Sequence, residues 1–263
     1  MSDLPLIVRI ETIVAETPTH KSFSFTYKLN HFEPGQFFMA WLPDIDEKPM
    51  SVTSYDEMTG QSFITVEKKG AFTSRLFELR VGDILGIRGP YGRGFSIKEN
   101  ACIIGGGCGI APIRPLLLKS KNATVILGAR SKDLMLFKGQ FPDANFATDD
   151  GTFGFKGFTT QVLEDQLSKK TFSLVQACGP EIMMKRIFDI CEKNGVPCEC
   201  SLERYMRCGM GVCADCVCGN QMVCKDGPVF GSDKLRNMAD FGHYARLKSG
   251  KKVALKDYYA CKT

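Results

Sequence analysis

The sequence predicts a β domain, then an α/β domain, then a small cysteine-held module. Three observations carry that expectation. Residues 6–95 read as short strands separated by turn signals, the pattern of an antiparallel barrel or sandwich. From Ala101 onward strands alternate with helical segments, which parallel sheets with crossover helices require. Later the cysteines fall as Cys208-x4-Cys213-x2-Cys216-x7-Cys224. The boundaries follow the changes of pattern: 1–97 for the β-barrel, 98–198 for the α/β domain, 199–231 for the cysteine module and 232–263 for a C-terminal tail.

In the first domain Leu6–Ile10 and Ser22–Tyr27 are the opening strands, the second alternating apolar and polar residues. Glu33-Pro34-Gly35 turns the chain into Gln36–Leu42, a run apolar enough to be a buried strand. Lys48-Pro49-Met50-Ser51-Val52-Thr53 enters its strand through proline, which fixes the backbone. A cation and a hydroxyl flank that proline, a combination that suits a phosphate or a flavin edge. Phe63–Lys68 alternates again, and a short helix is expected from Arg75 to Leu79 with Thr73 or Ser74 as its N-cap. Free N–H groups at a helix start bind phosphate, although such caps are common without a ligand. Ile84–Arg88 then runs into Gly89-Pro90-Tyr91-Gly92-Arg93-Gly94-Phe95, a glycine-rich boundary.

The α/β domain opens with the strand Ala101–Ile104. Gly105-Gly106-Gly107-Cys108-Gly109-Ile110-Ala111-Pro112 follows it, and a helix is expected over Ile113–Ser120. Strand, glycine turn and helix together let backbone approach a pyrophosphate, although the spacing is not a strict G-x-G-x-x-G. Strands at Ala123–Leu127, Asn145–Thr148 and Phe172–Ala177 and helices at Thr160–Ser168 and Ile182–Asn194 complete the alternation. Ligands of open α/β sheets sit at the carboxyl ends of the strands. One rim therefore gathers Gly105 to Pro112, Asp149-Asp150-Gly151 and Cys178-Gly179-Pro180.

The cysteine spacing is the arrangement that holds a plant-type [2Fe–2S] cluster. Gly209 and Gly211 let the loop wrap the core, because glycine reaches positive φ without steric cost. Zinc prefers paired C-x2-C knuckles, and only Cys213 and Cys216 make such a pair. A thioredoxin-type C-x-x-C needs a flanking βαβ unit, which is absent here. Cys224 is preferred to Cys218 as fourth ligand, since Cys218 lies too close to Cys216 to close the far side. Of the twelve cysteines, the others (Cys102, Cys108, Cys178, Cys191, Cys198, Cys200, Cys218 and Cys261) are expected to pack as small hydrophobes. His20, His31 and His243 are scattered, as surface or packing residues are.

At 263 residues and 44% hydrophobic content the chain is long enough to form its core without staples. No apolar run approaches the ~18 residues of a membrane span, and Met1-Ser2-Asp3-Leu4-Pro5 lacks a basic stretch leading into an apolar one. A cytoplasmic protein with reduced thiols is the expectation. The net charge of +5 is spread along the chain and does not argue for nucleic acid.

The Pro-x-Ser element, the Gly-Pro-x-Gly-x-Gly-Phe boundary, the glycine turn ending Ala-Pro and the later Cys-Gly-Pro resemble the ferredoxin–NADP reductase superfamily. The cysteine motif, with Cys224-Lys225-Asp226-Gly227-Pro228-Val229-Phe230, narrows the resemblance to the iron–sulfur subunits of NAD-dependent dihydroorotate dehydrogenases. It covers about residues 6–231, and Thr148-Asp149-Asp150-Gly151-Thr152-x-Gly154-x-x-Gly157 also fits. The resemblance implies FAD contacts at Lys48, Pro49, Met50 and Ser51, at Val66, Glu67 and Lys68, and at Gly70, Phe72, Thr73 and Ser74. It implies NAD contacts at Gly105, Gly106, Gly107, Gly109, Ala111, Pro112, Asp149, Asp150, Gly179 and Pro180, with Cys178 near the nicotinamide as a candidate catalytic residue. Members usually carry arginine at the position of Lys48, so a bidentate fork is lost, and Phe72-Thr73 replaces their small Gly-Thr pair. A carboxylate at Asp149 or Asp150 would favour NAD over NADP by repelling a 2′-phosphate.

The implied activity is oxidoreductase electron transfer in pyrimidine biosynthesis, from a partner dehydrogenase subunit through the cluster and FAD to NAD. The partner would hold the substrate chemistry in a hetero-oligomer with two of each subunit, which agrees with the lack of an acid/base constellation here. Two alternatives share this scaffold: the diaphorase subunit of a sulfhydrogenase and the small subunit of an NADH-dependent ferredoxin–NADP oxidoreductase. A third belongs to another class, a zinc-stabilised, non-catalytic binding module. The tail suggests a short helix at Leu235–Gly242 closed by glycine. Lys248-Ser249-Gly250-Lys251-Lys252 reads as a solvated turn or, alternatively, a docking patch.

Overall fold

A computed structural model describes residues 4–260, so Cys261 lies outside the described residues. The first seven strands are β1 (Leu6–Arg9), β2 (Thr12–Thr17), β3 (His20–Thr26), β4 (Phe37–Leu42), β5 (Asp46–Tyr55), β6 (Gln61–Glu67) and β7 (Ile84–Tyr91). They form one curled antiparallel sheet in the order β1-β7-β4-β5-β6-β3-β2. β2 was not read from the sequence. It pairs along the edge of β3 opposite β6, and the polar residues of β3 are not left to water. Ser22 and Ser24 are buried and bond Glu16 Oε1 at 2.6 Å and Thr12 Oγ1 at 2.7 Å instead. Helix α1 (Ala71–Glu78) begins earlier than expected, with Gly70 rather than Thr73 or Ser74 as N-cap. The Thr73 hydroxyl, inside the first turn, accepts from the Lys69 and Gly70 N–H groups.

The second sheet runs β11-β10-β9-β8-β12-β13-β16, from β8 (Ala101–Gly106), β9 (Thr124–Ala129), β10 (Asn145–Thr148), β11 (Phe155–Lys156), β12 (Leu174–Cys178), β13 (Cys198–Ser201) and β16 (Val229–Gly231). All pairs are parallel except β13/β16. Helices α2 (Ile110–Lys119), α3 (Thr159–Lys169) and α4 (Glu181–Asn194) make the crossovers. α2 starts ahead of Pro112 because residues 107–109 form a 3-10 turn that feeds directly into it. α4 stops where Gly195 takes φ 64 and its N–H returns to Cys191 and Glu192.

Between β13 and β16 lie the cysteine loop, the hairpin β14 (Val217–Cys218) and β15 (Gln221–Met222), and the short helix α5 (Val223–Asp226). The segment expected as a separate module is thus held at both ends by strands of the α/β sheet. The tail holds α6 (Ser232–Leu235), the hairpin β17 (Tyr244–Arg246) and β18 (Lys252–Ala254), and α7 (Leu255–Ala260). The helix expected over Leu235–Gly242 is absent: after α6 the chain turns. Asp240 there accepts from Gly219 N at 3.2 Å and pairs with Lys252, while Gly242 N donates to Glu181 at 2.8 Å. The Lys248–Lys252 stretch is the hairpin turn, with Lys252 engaged by Asp240. Among the described residues no helix is long and apolar enough to cross a membrane.

One ion pair ties these parts together. Arg204, leading into the cysteine loop, and Glu181, opening α4, are both buried and joined through both carboxylate oxygens. The same guanidinium reaches Glu203 O at 2.8 Å, Cys218 Sγ at 3.1 Å and Tyr244 O at 3.4 Å. Removing one partner strands a buried charge. Arg204→Met is therefore expected to cost about 3–5 kcal/mol in urea unfolding, and Glu181→Leu added to it should restore much of the loss. Equal destabilisation by the single and double variants would show that the pair does not act as a unit.

Candidate functional site

The cysteine loop is built from left-handed residues: Gly209 has φ 74, Gly211 φ 81 and Ala214 φ 59. Space demands the two glycines as well. A Cβ on Gly209 would lie 2.6 Å from Met39 Cγ, and one on Gly211 would lie 2.5 Å from Lys225 Cδ. The thiols fall into two pairs. Cys213 Sγ is 3.3 Å from Cys208 Sγ, and the Cys224 thiol hydrogen-bonds Cys216. Cys208 and Cys213 lie on the open side, while Cys216 and Cys224 are buried. Backbone N–H groups point at the sulfurs: Val212 at 3.3 Å and Cys213 at 3.5 Å from Cys208, and Cys224 at 3.4 Å from Cys216.

Burial opposes ionisation of Cys208, but the N–H groups of Cys213, Val212 and Met210 outweigh it and bring the thiol down to about 6. The hydrogen bond from Cys224 brings Cys216 to about 7. The same bond, with burial, holds Cys224 well above the usual thiol range. Among the described residues only His20, Glu67 and Cys108 bring three ligand atoms within 4.8 Å of one another. No three of the loop's sulfurs meet that closely, whereas four thiolates at ~2.3 Å from one zinc would all do so. Two pairs suit the two irons of a [2Fe–2S] cluster, each needing two protein sulfurs. Cys218, the rival ligand, is fully buried and turned toward Arg204.

The cysteine loop rests on the barrel beside β5. Lys48, on β5, is held 2.5 Å from Asp46 Oδ2 and lies over the Tyr205 ring at 5.3 Å. Pro49, Met50 and Ser51 are half-buried on the same strand, with Val66 buried and Glu67 half-buried on β6. Phe72 turns inward at the start of α1. Its side chain is 5% exposed within the barrel core, so only its main chain stays available at the start of α1. Gly70 is exposed and Ser74 half-buried there.

On the α/β rim, two turns meet backbone to backbone. A Cβ on Gly109 would sit 2.4 Å from Cys178 O, and one on Gly179 would sit 2.5 Å from Met183 Cε. Gly105 and Gly106 are buried at the end of β8, Gly107 has φ 55 with open space around it, Ala111 is buried in α2, Pro112 is half-buried and Pro180 is exposed. Asp149 is exposed, whereas Asp150 is committed to its own turn, accepting from Thr152 N at 3.0 Å and Oγ1 at 2.7 Å. Cys178 closes β12 with its thiol pushed up to about 12 by burial, so it stays protonated at neutral pH. The residues that sequence reading missed are Glu181 and Arg204, whose pairing across the fold leaves no local pattern; of the two roles open to His20, surface or packing, the structure gives it the buried one.

The family of the iron–sulfur cluster binding domain of dihydroorotate dehydrogenase B matches residues 203–236. A probable dihydroorotate dehydrogenase B (NAD(+)) electron transfer subunit of Methanocaldococcus jannaschii is 44% identical over 259 residues, covering 95% of this chain and 98% of the relative. The chain belongs to the family of dihydroorotate dehydrogenase B electron-transfer subunits. A subunit so named in Pyrococcus horikoshii is also 44% identical, over 88% of this chain and 91% of its own length. Among solved structures, that of an NADH-dependent reduced ferredoxin–NADP oxidoreductase superposes with a TM-score of 0.79 at 28% identity, covering 89% of this chain and 93% of its own. A ferredoxin NADP+ reductase from Neisseria gonorrhoeae, at 16% identity and a TM-score of 0.64 over 74% of this chain and 93% of its own, shares the fold.

The backbone contact at the rim is testable. Gly109→Ala forces the two turns apart and is expected to cost about 1–3 kcal/mol in thermal or urea unfolding. Gly139→Ala, which meets nothing within 4 Å, should stay within about 0.5 kcal/mol of the parent. Equal midpoints for the two variants would contradict the close approach.

Proposed function

We propose that this chain carries electrons between a dihydroorotate-oxidising partner subunit and NAD, through a [2Fe–2S] cluster and FAD of its own. Identity of 44% along nearly the whole length of the Methanocaldococcus subunit carries the reading, and the paired thiols of the 203–236 segment support it. When bound, the cluster supplies single-electron exchange and the flavin links it to two-electron hydride exchange with the nicotinamide.

The chain's residues divide the work. Cys208 with Cys213, and Cys216 with Cys224, hold the two irons. Lys48, Pro49, Met50 and Ser51 on β5, Val66 and Glu67 on β6 and Lys68 directly after it line the flavin. The start of α1, from Gly70 through the main chain of Phe72 to Thr73 and Ser74, turns helix N–H groups to its phosphates. Lys48 serves from a position fixed by Asp46. Gly105, Gly106, Gly107, Gly109, Ala111 and Pro112, with Gly179 and Pro180, form the NAD pyrophosphate turn, in which Gly107 keeps open space around it while Gly109 packs against Cys178 O and Gly106 and Gly179 against Met183. Asp149 faces the ribose and selects NAD over NADP by charge, while Asp150 shapes the turn that presents it. Cys178, protonated, packs near the nicotinamide and exchanges no proton. Substrate chemistry belongs to the partner, in a cytoplasmic complex with two of each subunit.

The solved ferredoxin–NADP oxidoreductase neighbour favours a second reading, transfer to a ferredoxin-linked partner on the same scaffold. The experiment separates them. Anaerobic spectra with iron, zinc and flavin analysis should give about two irons and one FAD per chain, bleached by NADH. Cys224→Ser should lose most of the iron and Cys218→Ala none. Dihydroorotate should reduce NAD only when the partner subunit is added. Zinc in place of iron, or a colourless chain, would overturn the electron-transfer reading, and ferredoxin-dependent turnover in place of dihydroorotate oxidation would select the second one.

A further inference from the structure

Three ligating side chains meet at the seam between the barrel and the glycine turn. His20 opens β3, Glu67 ends β6 and Cys108 sits in the turn after β8, and their donor atoms lie within 4.8 Å of one another. The sheet register enforces half of this grouping. His20 stands opposite Glu67 in the β3/β6 ladder, and residues directly opposite on antiparallel strands share a face. The sulfur arrives from the other domain.

The imidazole is prepared for a further partner. His20 is 4% exposed. Its Nδ1 lies 2.8 Å from Thr17 Oγ1 and 3.1 Å from Thr19 Oγ1, while the buried Nε2 has no hydrogen-bond partner. Burying such an atom without a partner is ordinarily unfavourable. In the tautomer that carries the proton on Nδ1, toward a threonine hydroxyl, Nε2 keeps a bare lone pair, and an outer contact of this kind fixes the tautomer of metal-bound histidines.

Burial lowers the His20 pKa and keeps the ring neutral. Burial, reinforced by the Glu67 charge, holds the Cys108 thiol well above its usual range. A cation placed among the three would favour the carboxylate and the thiolate together. Lys69 Nζ lies 3.5 Å from Glu67 Oε2, a contact that a carboxylate with two oxygens can keep while ligating.

We infer that His20, Glu67 and Cys108 form a binding site for a divalent ion of the zinc class, which slows turnover by fastening the glycine turn to the barrel. The donor set decides the class. One imidazole nitrogen, one carboxylate oxygen and one thiolate suit zinc and its neighbours, whereas magnesium and calcium take oxygen. Three protein ligands leave the fourth place of a tetrahedron to water. Metal binding stands on these residues alone. The slowing rests on the reading of Gly105 to Pro112 as the NAD turn.

The test uses the full chain with FAD and cluster in place, equilibrated with Zn2+, desalted, and analysed for zinc, iron and flavin. The parent should retain about one zinc per chain, and His20→Gln and Cys108→Ala should bind it at least ~10-fold more weakly with iron and flavin unchanged. NADH-dependent ferricyanide reduction should fall with Zn2+ in the parent and recover on chelation, but not fall in His20→Gln. Equal zinc retention in the parent and both variants would overturn the site, as would zinc uptake matched by iron loss, which places the ion on the cluster thiols. Zinc held by all three residues without any slowing would overturn the inhibitory role. Absence of NADH oxidation before zinc is added would count against the proposed function, and zinc retention would still decide the site.

Discussion

The arrangement depends on a guanidinium that cannot be left alone in the protein interior. Arg204 has 2% of its surface exposed, and an isolated charge there would be prohibitive. Its two terminal nitrogens donate to Glu181, Glu203 O, Tyr244 O and Cys218 Sγ, and these acceptors come from four different stretches of chain. Satisfying one side chain thus fixes the entry to the cysteine loop against the first turn of α4, next to the rim where NAD is proposed to sit. The tail is recruited for the same reason. Gly242 N also binds Glu181, and Tyr259 Oη accepts from Glu181 N at 3.3 Å. Placing the acid in the first turn of α4 suits the helix dipole as well.

What could be read from the sequence was local. Cysteine spacing, the glycine turn after a strand and the 3.6-residue periodicity of α3 and α4 are each written within about fifteen residues, and the elements stand there. Where the reading failed, distant contacts had outweighed local preference. Thr73 and Ser74 look like caps, but glycine takes that position and the threonine hydroxyl serves the turn from inside. Leu235–Gly242 looks helical, but Asp240 and Gly242 are claimed by Lys252, Gly219 and Glu181. β13 and β16 hide because a three- or four-residue strand carries too little pattern, and only the sheet beside them makes them strands. His20 reads as a packing or surface residue because its neighbours Glu67 and Cys108 stand 47 and 88 positions away.

The same contrast explains the run Phe37–Leu42. A strand with one wet face alternates, and this one does not, because each face meets a different core. Phe38, Ala40 and Leu42 fill the barrel, whereas Phe37 and Met39 join the core that contains Cys216, Cys224 and Phe230. The barrel therefore forms one wall of the cysteine loop's seat, and the core of the α/β domain extends onto it through Phe37 and Met39.

That shared strand sets how the proposed cofactors stand to one another. Met39 packs so closely under Gly209 that a Cβ there would overlap it, and on β4 it is the register partner of Pro49 on β5. One residue therefore touches the loop that carries Cys208 and Cys213 while pairing with the strand proposed to line the flavin. Electron transfer between two centres needs a short, rigid path rather than a moving part. A methionine buried at 0% exposure between a sheet ladder and a loop supplies rigidity by packing, since interiors of this density do not deform continuously. Gly209 is then required twice over, for its backbone angle and for that contact, which is why the first glycine of the motif cannot be traded for any side chain.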